Sequence, residues 1–190
     1  MFLIGPSGAG KDSLLHGLRA DWQLSEPACF AQRTITRPVK PNDEQHEAVD
    51  LARFEEMLNA KSFAMHWQAN GLFYGIRMSE LVPLHTGHWV FVNGSRAYLP
   101  ELLKDWPQAT VVHISAAREV LAQRLAQRGR ETDDAVFTRM SRKVALDLPV
   151  QTISIDNSGA ISSAVDELSR ALKMRVQPAS DSQRSYSERL

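Results

Sequence analysis

The chain is 190 residues long, 43% hydrophobic and 23% charged, with a formal net charge of zero. That length suits one domain with a sizeable core and is short for two. The zero balance lacks the basic surplus of a duplex-binding protein, and no apolar run approaches the ~20 residues that span a bilayer, so neither nucleic acid nor membrane is expected as a partner.

The first segment reads as strand, loop and helix. Phe2-Leu3-Ile4 is apolar, Gly5 to Gly10 is glycine-rich, and Lys11 to Ala20 carries Leu14, Leu15 and Leu18 on one face. The opening run Met1 to Ile4 is too short for a secretory signal and lacks its basic lead. It is also short for a strand, so the expectation is a clipped first strand or a chain that starts a few residues late. Cys29 is the one cysteine. It excludes an internal disulfide framework, fits a reducing cytoplasm, and reads as a buried or half-buried side chain.

Arg33 to Asp50, with Pro38 and Pro41, reads as a loop or edge region, because proline interrupts both helix and ladder. Leu51 to Ala60 reads as a short helix with Phe54, Met57 and Leu58 on its apolar face. Asn70-Gly71 marks a hairpin between apolar runs. Strands follow at His88 to Val92 and Ala109 to Ile114, helices at Arg118 to Arg128 and Val136 to Val144, and a strand at Gln151 to Ile155. Asp156 to Gly159 is a turn, and Ser162 to Met174 is an amphipathic closing helix. The polar tail, 176–190, reads as disordered.

Strands alternating with helices predict an α/β fold: a P-loop NTPase-type parallel sheet with helices on both faces. The segment from Arg33 to Tyr74 breaks the alternation. It reads as an inserted mixed lobe, about 33–75, over the sheet's carboxyl edge, where ligands bind in such folds. One domain over 1–175 is expected, with an arginine-rich lid at about 124–142.

Gly5-Pro6-Ser7-Gly8-Ala9-Gly10-Lys11 fits G-x-x-x-x-G-K between an apolar strand and an apolar-faced helix. Glycines let successive N–H groups point inward as an anion nest, and the following helix adds its positive end. Lys11 is placed to reach the β- and γ-phosphates of a nucleotide as a point charge. The plain alternative is a glycine turn capping an ordinary helix. After the lysine the motif expects a hydroxyl that ligates magnesium. Asp12 stands there, with Ser13 next. A carboxylate is a legitimate magnesium ligand, and it can equally cap the helix.

Arg124 and Arg128 are one helical turn apart, and Arg130, Arg139 and Arg142 follow. Phosphoryl transfer needs positive charge brought in on closure, and an arginine lid supplies it. The alternative is a solvated, salt-bridged helix pair. Thr34-Ile35-Thr36-Arg37-Pro38 with Lys40 is a second basic cluster suited to an anionic acceptor, and Tyr74-Gly75 could close its pocket. His46, His66, Trp67 and His88 lack metal-ligand spacing. Asn93 ends an apolar strand, where many P-loop proteins place an aspartate. Its neutral oxygen suits a substrate contact better than the metal's main anion.

The loop, then Ile35-Thr36-Arg37-Pro38, Asn70-Gly71-Leu72-Phe73-Tyr74-Gly75, and Arg124-Leu125-Ala126-Gln127-Arg128-Gly129 together resemble the guanylate kinase family over about 1–173. That resemblance implies ATP and Mg2+ as cofactors, a nucleotide site, an acceptor lobe and a lid. Four positions depart from it. Met65 stands about where the family's guanine-reading glutamate is, His46 where a tyrosine is, Asn93 for the strand-end aspartate, and Asp12 for the hydroxyl. A base edge left without its polar readers is a large specificity loss, whereas Arg37, Lys40 and Tyr74 still suit a phosphate.

Gly10-Lys11-Asp12-Ser13, Val92-Asn93-Gly94-Ser95-Arg96-Ala97 and Arg128-Gly129-Arg130-Glu131 are similar to a branch of that family, the ribose 1,5-bisphosphate phosphokinases. The branch implies transfer of the γ-phosphate of ATP to ribose 1,5-bisphosphate, giving 5-phosphoribosyl 1-diphosphate for phosphonate breakdown. It implies a phosphorylated sugar as the small-molecule partner, in a cytoplasmic monomer or homodimer. By the same carry-over Arg128 and Arg139 act with Lys11 on the transferring group, and Arg124 lies near the adenine and α-phosphate. Arg37, Lys40 and Tyr74 hold acceptor phosphate, and Asn93, Ser95 and Arg96 meet the sugar or its 1-phosphate. Two readings compete: a guanylate or other nucleoside monophosphate kinase, which predicts turnover of a nucleotide acceptor, and a non-catalytic binding module on the same fold, which predicts no stabilisation by ATP.

Overall fold

The structure is a computed structural model and describes residues 1–22, 26–39, 45–127 and 147–176. The expected helix at 136–144, the tail beyond 176 and all but the first residues of the expected lid lie outside them, as do Lys40, Arg128 and Arg139.

Five short strands make a wholly parallel sheet: β1 (Phe2–Ile4), β2 (Ala28–Phe30), β7 (Trp89–Asn93), β8 (Val111–Ser115) and β9 (Ile153–Asp156), in the order β2-β7-β1-β8-β9. Central β1 is buried at every residue, as parallel strands covered on both faces are. On one face lie α1 (Lys11–Ala20) and the closing helix α6 (Ile161–Val176). Leu14 and Leu18 repeat at one turn, as do Ala164, Leu168 and Leu172, and they close a core with Leu3, Phe91, Val112 and Ile114. On the other face, Leu81 of α3 (Met78–Leu81) and Leu99 and Leu102 of α4 (Leu99–Asp105) pack with Phe2, Ile4, Val90, Val92 and Val111. The α/β parallel sheet with helices on both faces is therefore present as the sequence predicts.

A second, four-stranded sheet runs β4 (Glu47–Ala48), β3 (Arg33–Ile35), β6 (Leu72–Arg77), β5 (Phe63–Ala69). β5 and β6 form the hairpin expected at Asn70-Gly71, with φ of 52° and 73° at its two turn residues, the geometry that favours Asn-Gly. The helix α2 (Leu51–Asn59) is capped by the Asp50 carboxylate, which accepts from the Arg53 amide at 2.8 Å. The stretch read as a loop or edge region from 33 to 50 holds the edge strand β4 and its neighbour β3; the prolines follow β3 rather than interrupt it, and Thr34 and Ile35 are fully buried. α5 (Arg118–Gln127) follows β8 and carries Arg124 back toward the loop after β1. Among the described residues, no helix is long and apolar enough to cross a membrane.

Candidate active site

The loop after β1 is shaped by backbone. Gly8 and Gly10 both hold φ of 84°, a left-handed conformation that glycine adopts without strain. A Cβ on Gly10 would overlap the side-chain nitrogen of Asn157. Asn157 lies just past β9, 1% exposed, and donates from Nδ2 to the Ala9 carbonyl at 2.8 Å. Its own amide donates to Ser115 at 2.8 Å, so the ends of two strands brace the loop. Gly10 provides no side-chain cap to α1, and the N–H groups of that helix's first turn are the ready-made anion site of such termini.

Lys11 folds back over this loop, its ammonium donating to the carbonyls of Gly5 at 3.1 Å and Pro6 at 3.3 Å. The Nη1 of Arg124 lies 3.7 Å from where a Gly10 Cβ would be, buried and without a hydrogen-bond partner among the described residues. Such an atom costs free energy until something accepts from it. Pro6, Ser7 and Ala9 complete the loop, and Ala9 is fully buried in the core beneath it. Ser13 points to solvent, whereas Asp12 is half-buried.

Asp12 sits where three pieces of the molecule meet. Its Oδ1 accepts from Asn93 Nδ2 at the end of β7 and lies 3.3 Å from Arg33 Nη2 of β3. Asn93 is 3% exposed, and its Oδ1 is buried with no hydrogen-bond partner among the described residues. The phosphate loop, the parallel sheet's edge and the second sheet are thus joined at one carboxylate.

In the second sheet Tyr74 stacks on Trp67, with centroids 5.7 Å apart and planes 2° from parallel. The Arg33 guanidinium lies 5.6 Å over the Tyr74 ring. Arg37 is half-buried, and its carbonyl is held by a His46 ring nitrogen at 2.9 Å. Met65, at the place of a base-reading carboxylate in the resembled family, is 5% exposed and packed in an apolar core with Trp67 and Ile76. Glu47 ties the sheet together, accepting from Thr34 Oγ1 at 2.7 Å and from Arg77.

On the parallel sheet's side, Ser95 caps the short turn Arg96–Tyr98 by accepting from the Ala97 amide at 3.2 Å. His113, on β8, pairs in register with Ile4. Its burial, then the Arg96 and Lys11 charges, hold its pKa below the ordinary 6.5.

Most of the residues singled out in the sequence come together here: the loop with Lys11, then Asp12, Arg124 and Asn93. Tyr74 lies in the adjoining sheet and Arg37 just past its strand β3. Sequence reasoning missed Arg33, Asn157 and His113. Arg33 stands immediately before the string Thr34 to Lys40 that was read as an acceptor cluster. Asn157 follows an apolar strand as Gly5 follows β1, and that position was the available signal.

A phosphate loop on the carboxyl edge of a parallel sheet, facing a second mixed sheet, defines a guanylate kinase-like P-loop fold. The guanylate kinase of Anaplasma phagocytophilum superposes with a TM-score of 0.66 over 94% of this chain and 86% of its own, at 17% identity. The ribose 1,5-bisphosphate phosphokinase PhnN of Agrobacterium fabrum is 40% identical over 90% of this chain and 94% of its own length. The chain belongs to the ribose 1,5-bisphosphate phosphokinase family. The PhnN protein of Janthinobacterium sp. (strain Marseille) is 46% identical over 88% of this chain, which spans only 37% of that longer relative. No protein-family model matches the chain.

Proposed function

We propose that the protein transfers the γ-phosphoryl group of ATP to ribose 1,5-bisphosphate, yielding ADP and 5-phosphoribosyl 1-diphosphate, in the cytoplasm and in phosphonate breakdown. The observation that carries this reading is the contrast within the second sheet. Its phosphate-suited residues Arg37 and Tyr74 are kept, Tyr74 beneath the Arg33 guanidinium that reaches Asp12, while Met65 turns a base-reading position into apolar core. The names of the relatives support the same acceptor. The lobe at about 33–75 holds it, and residues 1–175 act as one kinase domain with a lid at about 124–142.

Gly5 to Gly10 and the first turn of α1 bind the nucleotide's phosphates through N–H groups, and Lys11 neutralises the β- and γ-phosphates. The buried Nη1 of Arg124 finds its acceptor in the nucleotide. Asp12 and Asn93 fit a magnesium ion: both offer hard oxygens, and Asn93 Oδ1 is buried without a partner among the described residues. Bound there, the ion supplies charge neutralisation at the β- and γ-phosphates. Ser13, pointing to solvent, is the weaker candidate for it.

Arg37, Tyr74 and, outside the described residues, Lys40 hold the acceptor's phosphate. Asn93, Ser95 and Arg96 meet its sugar or its 1-phosphate. An oxygen of the acceptor's 1-phosphate attacks the γ-phosphorus as the bond to the β-phosphate oxygen breaks. That oxygen is already anionic near neutral pH, so no strong base is needed, and rate comes from positioning and charge. Arg128 and Arg139 act with Lys11 on the transferring group.

The test is phosphorus NMR with ATP and magnesium, offering ribose 1,5-bisphosphate and GMP in separate reactions. Diphosphate signals of 5-phosphoribosyl 1-diphosphate from the sugar, with GMP inert, are expected. Turnover of GMP and none of the sugar overturns the proposal.

A further inference from the structure

The proposed acceptor carries two phosphates, and each phosphate monoester brings about −1.5 to −2 charges near neutral pH. Two such groups beside a nucleotide's phosphates require cations of their own, because a desolvated anion without a partner is costly. The lobe residues carried over from the resemblance account for one phosphate. The other, the one that attacks, has to lie nearest the phosphate loop.

One cation of the second sheet reaches that loop. Arg33 lies 3.3 Å from Asp12 Oδ1, in the first turn of α1, and 5.6 Å over the Tyr74 ring, with its side chain only 11% exposed. Arginine is seldom so covered unless its charge is used. Arg37 is four residues further along, up to about 13 Å away in extended chain, and is anchored through its carbonyl by His46. The two arginines thus have different anchors, Arg33 at Asp12 and Arg37 just past β3 at His46.

We infer that Arg33 is a substrate-binding residue of the acceptor site and holds the sugar's anomeric phosphate, while Arg37 holds the 5-phosphate. This rests on the acceptor proposed above. Asp12 and the Tyr74 ring fix the guanidinium's position from two sides. A planar fork can meet a carboxylate along one edge and a phosphate along another, which a lysine's single point charge cannot do in the same way. This also gives the carboxylate at position 12 a task besides metal binding: it aims the arginine at the junction between donor and acceptor.

The test is equilibrium binding by calorimetry, without nucleotide so that nothing turns over. Wild type, Arg33→Met and Arg33→Gln are each titrated with ribose 1,5-bisphosphate and with ribose 5-phosphate. Glutamine keeps a donor for Asp12 and serves if the methionine variant does not fold. Wild type is expected to prefer the bisphosphate by about 10-fold or more, the scale of a charge-assisted hydrogen-bond set. In both variants that preference falls to about twofold or less on the same scale, with ribose 5-phosphate binding unchanged. A variant that keeps the wild-type preference, or that weakens both sugars equally, overturns the assignment and leaves the proposed reaction standing. Wild type that binds neither sugar overturns the reaction and this inference together.

Discussion

The two sheets recognise by different means. Around the parallel sheet the proposed donor site is made of backbone: left-handed glycines, an uncapped helix start, and the Ala9 carbonyl braced by Asn157. In the four-stranded sheet the site is made of side chains reaching across strands. Arg33 lies over Tyr74, Tyr74 on Trp67, and Glu47 under Thr34 and Arg77. A backbone site reads phosphate whatever carries it. A side-chain site reads one acceptor and changes with each substitution. The chain shares the guanylate kinase fold at 17% identity, and Met65 packs in its apolar core.

The largest effect should come from the donor side. Lys11→Ala is expected to lower kcat by at least ~10²-fold, as loss of a charge aimed at the transition state does, with the melting temperature nearly unchanged. Coupled ADP release measures it, and near-wild-type turnover would remove the loop from the mechanism. Gly10→Ala comes next. The added Cβ meets Asn157 at a φ of 84°, so a loss of about 1–3 kcal/mol in stability is expected together with weaker ATP binding. Denaturant melts with and without ATP read both, and a variant as stable as wild type with intact ATP stabilisation contradicts a backbone-built site.

The same division decides what could be read from sequence. The donor loop is local: one glycine-rich string between an apolar strand and an apolar-faced helix carries its own geometry, so Gly5 to Asp12 were legible at once. Asn70-Gly71 was legible for the same reason. The contacts that finish the site are long-range. Asn157 meets Ala9 from the far end of the chain, and Arg33 meets Asp12 from another sheet. No local pattern announces such pairs. β3 and β4 were legible only as a loop or edge region because each is three residues or fewer and their stability comes from β6 and from Glu47 rather than from propensity. β2, also three residues, gains its place by pairing with β7 and by the packing of Phe30 on Phe91 and Trp22.

On the acceptor side, Arg37→Ala is expected to raise the acceptor's KM by about 10-fold or more, the cost of a lost charged hydrogen bond, with kcat changed far less. The ATP KM should not move. Steady-state kinetics with each substrate varied in turn separate these, and an unchanged acceptor KM takes Arg37 out of the site. A fall in kcat of Lys11 size would mean that the side-chain half also carries transition-state charge, and the contrast between the halves would narrow.

The smallest effect concerns His113, on β8 of the parallel sheet. Burial, Arg96 and Lys11 all disfavour its charged form, so its folded pKa lies below the ordinary 6.5. The unfolded chain therefore binds more protons than the folded one as pH falls past 6.5. The stability that a neutral His113 contributes is full above that pH and is lost as pH drops toward the folded value. The Met1 ammonium, lowered from 8.0 to about 6 by burial, has the same sign over a window that opens higher, near pH 8, and overlaps this one, so the wild-type curve alone does not isolate the imidazole. The difference between wild type and His113→Gln does, because glutamine cannot take up the proton. Melting temperatures from pH 7.5 to 5.5 should fall less steeply in the glutamine variant. Parallel curves would mean that neither burial nor the Arg96 and Lys11 charges depress this imidazole in the folded chain.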